Sequence, residues 1–218
     1  MPKKEAPITS LDAFLPPKTF PAVSEYLHRY KVHLTVARER RSILGDYRHR
    51  TLHEAHRISV NGNLNPYAFL ITLLHELAHL LTFEKWANRV QAHGPEWKQL
   101  FGQLLAQFIQ HKIFPADIEA ALLKSITNPA ASSCADMNLL KTLRRYDAKK
   151  SNGKLVEELP QEALFKTSDG RVFKKGAQAR KRFKCMEVAT GRLYLFSPVY
   201  EVVPIDSPSD QSNLLSHL

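Results

Sequence analysis

The strongest constraint on what this chain can fold into is one apolar helix that carries two histidines and a glutamate. From Pro66 to Phe83 leucines and aromatics cover most of the helical circumference, which predicts a buried helix. Pro66 suits the first turn and Asn65 an N-cap. Thr72, His75, His79 and Thr82 nevertheless recur at spacings of three, four and three, which gathers them into one polar stripe. Imidazoles and a carboxylate inside a core are costly unless hydrogen-bonded or metal-bound. The fold must therefore supply partners along that stripe.

The stripe contains His75-Glu76-Leu77-Ala78-His79, an H-E-x-x-H motif. Two histidines one turn apart can reach a single zinc ion at about 2.0–2.1 Å. A third ligand leaves a fourth position for water, whose pKa the metal lowers to about 7, and Glu76 is placed to take the proton. Three residues are candidates for the third ligand. Glu84 follows His79 by only five positions and cannot easily fold back to the same ion. Glu96 is an acidic alternative. His93 precedes the break at Gly94-Pro95, where a loop can deliver it to the metal, and it is favoured. The competing reading is a chance motif whose histidines are satisfied by core hydrogen bonds. The apolar setting and the downstream His93 favour metal.

His75-Glu76-Leu77-Ala78-His79 together with His93-Gly94-Pro95-Glu96-Trp97-Lys98 resembles the SprT-like (Spartan-like) zinc metallopeptidases, marked by H-E-x-x-H and then H-G-x-x-[FW]. Ile43-Leu44-Gly45 and Arg57-Ile58-Ser59-Val60-Asn61 look like that family's strands ahead of its helix. The similarity spans roughly residues 20–125. It implies one zinc ion on His75, His79 and His93, with Glu76 as general base. Eukaryotic relatives cleave proteins crosslinked to DNA, and some bacterial ones carry a transcription-elongation label. Longer relatives end in a four-cysteine zinc ribbon. Here a single Cys185 lies in the corresponding region and no C-x-x-C occurs, so a second zinc is not expected.

Composition bounds the rest. With 218 residues and 44% hydrophobic content, the chain can hold one sizeable core and a small appendage. The start, Met1-Pro2-Lys3-Lys4-Glu5, lacks an apolar leader, and no run is expected to span a membrane. Cys134 and Cys185 are too few for a disulfide framework and read as packing residues in a reducing cytoplasm.

The net charge of +10 is concentrated. Between Lys141 and Arg192 there are fifteen Lys and Arg against six Asp and Glu, the footprint of a polyanion partner. The densest part runs from Lys174 to Lys184. Phe173, Phe183, Tyr194 and Phe196 interleave with the charge and could stack on unpaired bases; alternatively they form the core of a small sheet. The basic module is expected to contact nucleic acid.

The order of elements predicts an α+β protein: a zincin-like domain with a small antiparallel sheet and the H-E-x-x-H helix, then a small all-β module. A helix is expected over Phe20–Tyr30, and strands near Val32–Arg38, Ser42–Arg48 and His56–Val60. An edge strand there could pair with an extended substrate. His53 and His56 read as exposed residues beside it. Helices follow near Pro95–Lys112, Pro115–Ser125 and Met137–Tyr146. Four or five strands occupy the end, with turns at Ser168-Asp169-Gly170 and Thr190-Gly191. The expected division is an N-terminal extension over 1–19, the metallopeptidase domain over 20–127, a linker with a short helix over 128–161, the basic β module over 162–206 and a mobile tail over 207–218.

Two functions compete. One is a zinc endopeptidase acting on a protein substrate, with DNA-associated proteins among its targets. The other is a non-catalytic nucleic-acid-binding or transcription-associated protein that keeps a zinc site. Glu76 favours the enzyme, because a purely structural site needs no carboxylate between its histidines. Tyr67 and Lys98 are the polar residues near the motif that could face an oxyanion.

Overall fold

In the computed structural model the described residues are 8–40, 43–130, 136–148 and 153–205. The expectations for a mobile tail and for Cys134 concern residues outside them. The chain divides between Ala148 and Lys149 into two compact units. The described residues form five α-helices, a three-stranded sheet and a separate six-stranded antiparallel sheet.

In the first unit, helix α1 (Phe20–Arg29) leads into β1 (His33–Ala37), β2 (Gly45–Arg48) and β3 (Arg57–Asn61). The sheet order is β1-β3-β2. β2 runs antiparallel to β3, but β1 runs parallel to it, with Leu34 opposite Ile58 and Val36 opposite Val60. The expected antiparallel sheet is therefore corrected to a mixed one. The chain leaves β1 and crosses to the far side of β3 before pairing, so β1 and β2 never meet. β2 is left as a free edge.

Helix α2 (Pro66–Trp86) follows, then α3 (Pro95–Gln110) and α4 (Ala116–Ser125). Asn65 caps α2 by accepting from the Ala68 N–H at 2.9 Å, an interaction typically worth about 1 kcal/mol. Phe69, Leu70, Leu73, Leu74, Leu77 and Leu80 are completely buried. Thr72 and Thr82, two members of the polar stripe, donate to the carbonyls of Ala68 and Ala78 four residues back. By length and composition alone α2 could cross a membrane, which corrects the expectation that no run is long enough. Here the protein's own core occupies its apolar faces.

The helix read inside a linker, α5 (Met137–Arg144), belongs instead to this core: Leu139 and Leu143 are buried in it. Asn65 ties it down, donating through Nδ2 to the Leu143 carbonyl at 2.9 Å and to Asp147 Oδ1 at 2.7 Å. Leu11 and Leu15, in the stretch read as an extension, are buried in the same core.

The second unit contains β4 (Lys154–Leu155), β5 (Leu164–Lys166), β6 (Val172–Ala179), β7 (Arg182–Glu187), β8 (Leu193–Phe196) and β9 (Glu201–Pro204). Their order is β4-β9-β5-β6-β7-β8. Two short strands, β4 and β9, bring the sheet to six against the four or five expected, and it begins before residue 162. Gly176 sits where β6 slips register against β7, and a Cβ there would lie 2.5 Å from the Lys184 carbonyl oxygen, so only glycine fits. Phe165, Phe173, Cys185 and Val202 form the core, with Phe183, Tyr194 and Phe196 packed against it. Phe173 is 1% exposed and cannot serve as a stacking surface for a base. Lys175 also turns inward, over the Phe183 ring and onto the carbonyls of Glu157 and Leu159, and burial lowers its pKa. Arg180, Lys181, Arg182 and Lys184 remain exposed.

Candidate metal centre

His75 and His79 project from α2 one turn apart, both half-buried. α2 ends at Ala87, whose left-handed backbone (φ 52°) turns the chain back. His93 comes from the return loop, directly before the Gly94 N-cap of α3. The three imidazoles converge. His75 Nε2 lies 3.2 Å from His79 Nε2 and 3.4 Å from His93 Nε2, and one ligand atom from each ring falls within 4.8 Å of the others. This cluster could hold a metal ion.

Trp97, on the first turn of α3, fixes the rings from below. Its centroid is 4.7 Å from those of His75 and His93 and 5.2 Å from that of His79. It is fully buried, and its Nε1 has no hydrogen-bond partner among the described residues. Burial holds the histidines neutral. His75 is pushed down to about 3 by burial and then by His79 and His93, and His79 to about 4 by burial and then by His93. His93 is lowered by burial and then by Lys98. Neutral imidazoles offer lone pairs rather than protons, as a metal site requires.

Glu76 is 6% exposed. Burial raises its pKa to about 8, Asp46 adds to the rise and Arg40 opposes it. β2 lies directly over it. A Cβ on Gly45 would overlap the Glu76 carboxylate and come within 2.8 Å of Thr72 Cγ2. A glycine inside a strand signals such a close approach, so this contact could have been found in the sequence.

The other third-ligand candidates are engaged elsewhere or outside the cluster. Glu84 Oε1 contacts His56 Nε2 at 3.2 Å and Arg50 Nε at 3.1 Å. Glu96 sits on the first turn of α3 beside Gly94 and does not join the three histidines. Neither residue suggested for an oxyanion lines the cleft over the centre. Tyr67 packs on Phe114 and Tyr146, and Lys98 Nζ donates to Asn128 Oδ1 at 2.8 Å. His56, read as an exposed strand residue, is 2% exposed, while His53 is exposed.

An open cleft of about 600 Å³ runs over this centre. Edge strand β2 forms one side and the loop carrying His93 the other. The cleft reaches His75, Glu76 and His79 along its floor.

These features define a mixed α+β domain whose central helix presents a three-histidine, metal-ready centre to an edge-strand cleft. The model of the SprT-like family matches residues 19–118, within that domain. No curated protein and no solved structure gives a significant match to the chain.

Proposed function

We propose that the protein is a zinc-dependent endopeptidase of SprT-like type. The observation that carries this reading is the juxtaposition of three convergent neutral imidazoles with the buried carboxylate of Glu76 in an accessible cleft. The donor set suits zinc: three nitrogen ligands leave one position open, the pattern of catalytic rather than structural sites. His75, His79 and His93 would hold the ion. Zinc bound there supplies Lewis acidity, polarising a scissile carbonyl and easing deprotonation of water.

The chain's own residues do the remainder. Glu76 accepts the proton from the attacking water and passes it to the leaving amine nitrogen. Burial makes its ionised form a stronger base, which removal of a water proton uses. Edge strand β2 offers unpaired backbone groups to an extended substrate, giving affinity with little sequence readout. The direct test is cleavage of an unfolded protein by zinc-loaded enzyme, with and without single- and double-stranded DNA.

The Gly45 contact gives a sharper check on the same reading. Gly45→Ala must displace the Glu76 carboxylate or the strand above it. Misplacing a catalytic group by about 1 Å can cost on the order of 10²-fold in rate. Gly45→Ala is therefore expected to lose activity on that scale while zinc content, measured by elemental analysis, stays near that of wild type.

The surplus positive charge supports nucleic acid as a second partner, with DNA-associated proteins as substrates. Arg180 and Lys181 form the tip between β6 and β7, and Arg182 and Lys184 point outward beside it. Neutralising all four is expected to weaken binding to every sequence alike. It should also flatten the log–log salt dependence by roughly three to four, about one for each phosphate no longer neutralised. Titrations of the full chain against labelled oligonucleotides at several salt concentrations measure both. Unchanged binding would make this a solvated face only.

A further inference from the structure

Beyond His79 the cleft has a wall that the proposed proton transfers do not use. Tyr47 of β2, His49 just past the strand and Phe83 of α2 all line it. The His49 ring lies parallel to that of Phe83, with centroids 4.5 Å apart and planes 9° apart. The Tyr47 ring lies parallel to that of His79, at 6.4 Å and 4°. Ala87 and Val90 face this wall from the return loop.

The wall is pinned from behind. The Tyr47 hydroxyl is 2.9 Å from His56 Nδ1, and His56 Nε2 is 3.2 Å from Glu84 Oε1. Arg50 Nε holds the same carboxylate oxygen at 3.1 Å. Assigning the tautomer from this network, His56 donates to Glu84 through Nε2, so Nδ1 accepts from the Tyr47 O–H. The hydroxyl is thereby spent on His56. His49 Nδ1 is likewise engaged, 2.9 Å from the Arg50 carbonyl. What the wall presents to a ligand is chiefly ring surface, held rigid by a chain that begins on β2 and ends on the helix carrying the metal centre.

We infer that Tyr47, His49 and Phe83 form a specificity subsite, taking an aromatic or large aliphatic side chain from the substrate residue beside the bond to be cut; this rests on the endopeptidase reading above. An aromatic side chain buries much apolar surface against such rings and gains from edge and offset-stacked contacts. A carboxylate side chain would exchange its hydration for ring faces, with Asp46 lining the same cleft as a like charge. Pockets of this kind typically discriminate by about 10–200-fold. Because the wall is pre-organised, little of that difference is lost to ordering side chains.

Two measurements test this. Cleavage sites in unfolded casein, mapped by mass spectrometry, should show Phe, Tyr, Leu and Met enriched at one position next to the cut. Phe83→Ala, or His49→Ala at an exposed residue, should erase the enrichment with zinc content unchanged. The second measurement needs no turnover. Peptidyl hydroxamates bearing a benzyl, methyl or carboxymethyl side chain are titrated by calorimetry into zinc-loaded Glu76→Gln protein. The benzyl compound should bind about 10–200-fold tighter than the other two, and Phe83→Ala should level the series. Equal affinities, or no hydroxamate binding to zinc-loaded protein, would overturn the subsite even if casein is cut. Discrimination among hydroxamates without any cleavage would keep the subsite and remove the endopeptidase reading.

Discussion

Zinc-loaded Glu76→Gln protein is expected to keep its metal and lose on the order of 10²–10⁴-fold in peptide-bond cleavage, the usual size of a general acid–base contribution. The substitution is close to isosteric, which matters because the space is closed: Gly45 and Thr72 leave no room for a larger group beside the carboxylate. The substituted amide would accept a hydrogen bond from water without removing its proton, so binding and attack geometry survive while proton transfer fails. Stability should not fall. Burial raises the Glu76 pKa to about 8, so near neutral pH the fold must hold it protonated at a cost the ionised unfolded chain does not bear, and a neutral amide avoids that cost. The variant should therefore melt at or above the wild-type temperature. Comparable cleavage by variant and wild type would take Glu76 out of the reaction, and lost zinc would make it part of the metal site.

The residues legible in the sequence are those whose signal is local. The apolar run, the Asn65 cap and the Pro66 start all specify α2 through contacts within a few residues, and α2 carries two of the three clustered histidines. His93 is legible because Gly94-Pro95 restarts the chain as a helix there. What stays hidden depends on distant partners. Alternation marks β1 and β3 as strands but carries no information on direction, so the parallel pairing of Leu34 with Ile58 cannot be read. Met137–Arg144 is polar enough to resemble a linker, and its ties to the core, through buried Leu139 and Leu143 and through Asn65, all reach residues far away in sequence. His56 reads as exposed because nothing nearby announces Glu84 or Tyr47 as its partners. Lys175 counts toward the basic cluster by composition, yet it shares the inward face of β6 with Phe173, which the two-residue period already implies.

The largest effect of all should follow the metal itself. The metal-free chain is expected to be inert as a peptidase, and zinc should restore activity at close to one ion per chain. The same ion should stabilise the fold, since the site is assembled only when the return loop brings His93 beside α2. A ligand that binds only the folded state, at 1,000 times its Kd, adds about 4.1 kcal/mol. For a domain of this size that is a rise of roughly 10 °C in Tm. His93→Ala leaves two imidazoles on one helix turn, so it should abolish both the thermal shift and the activity. Glu96→Ala should preserve both, because Glu96 stands beside Gly94 and outside the three-histidine cluster. Calorimetric melts of the two variants with and without zinc separate these outcomes. A Glu96 variant that loses its zinc-dependent shift while the His93 variant keeps it would move the third ligand from the loop histidine to the acid on α3.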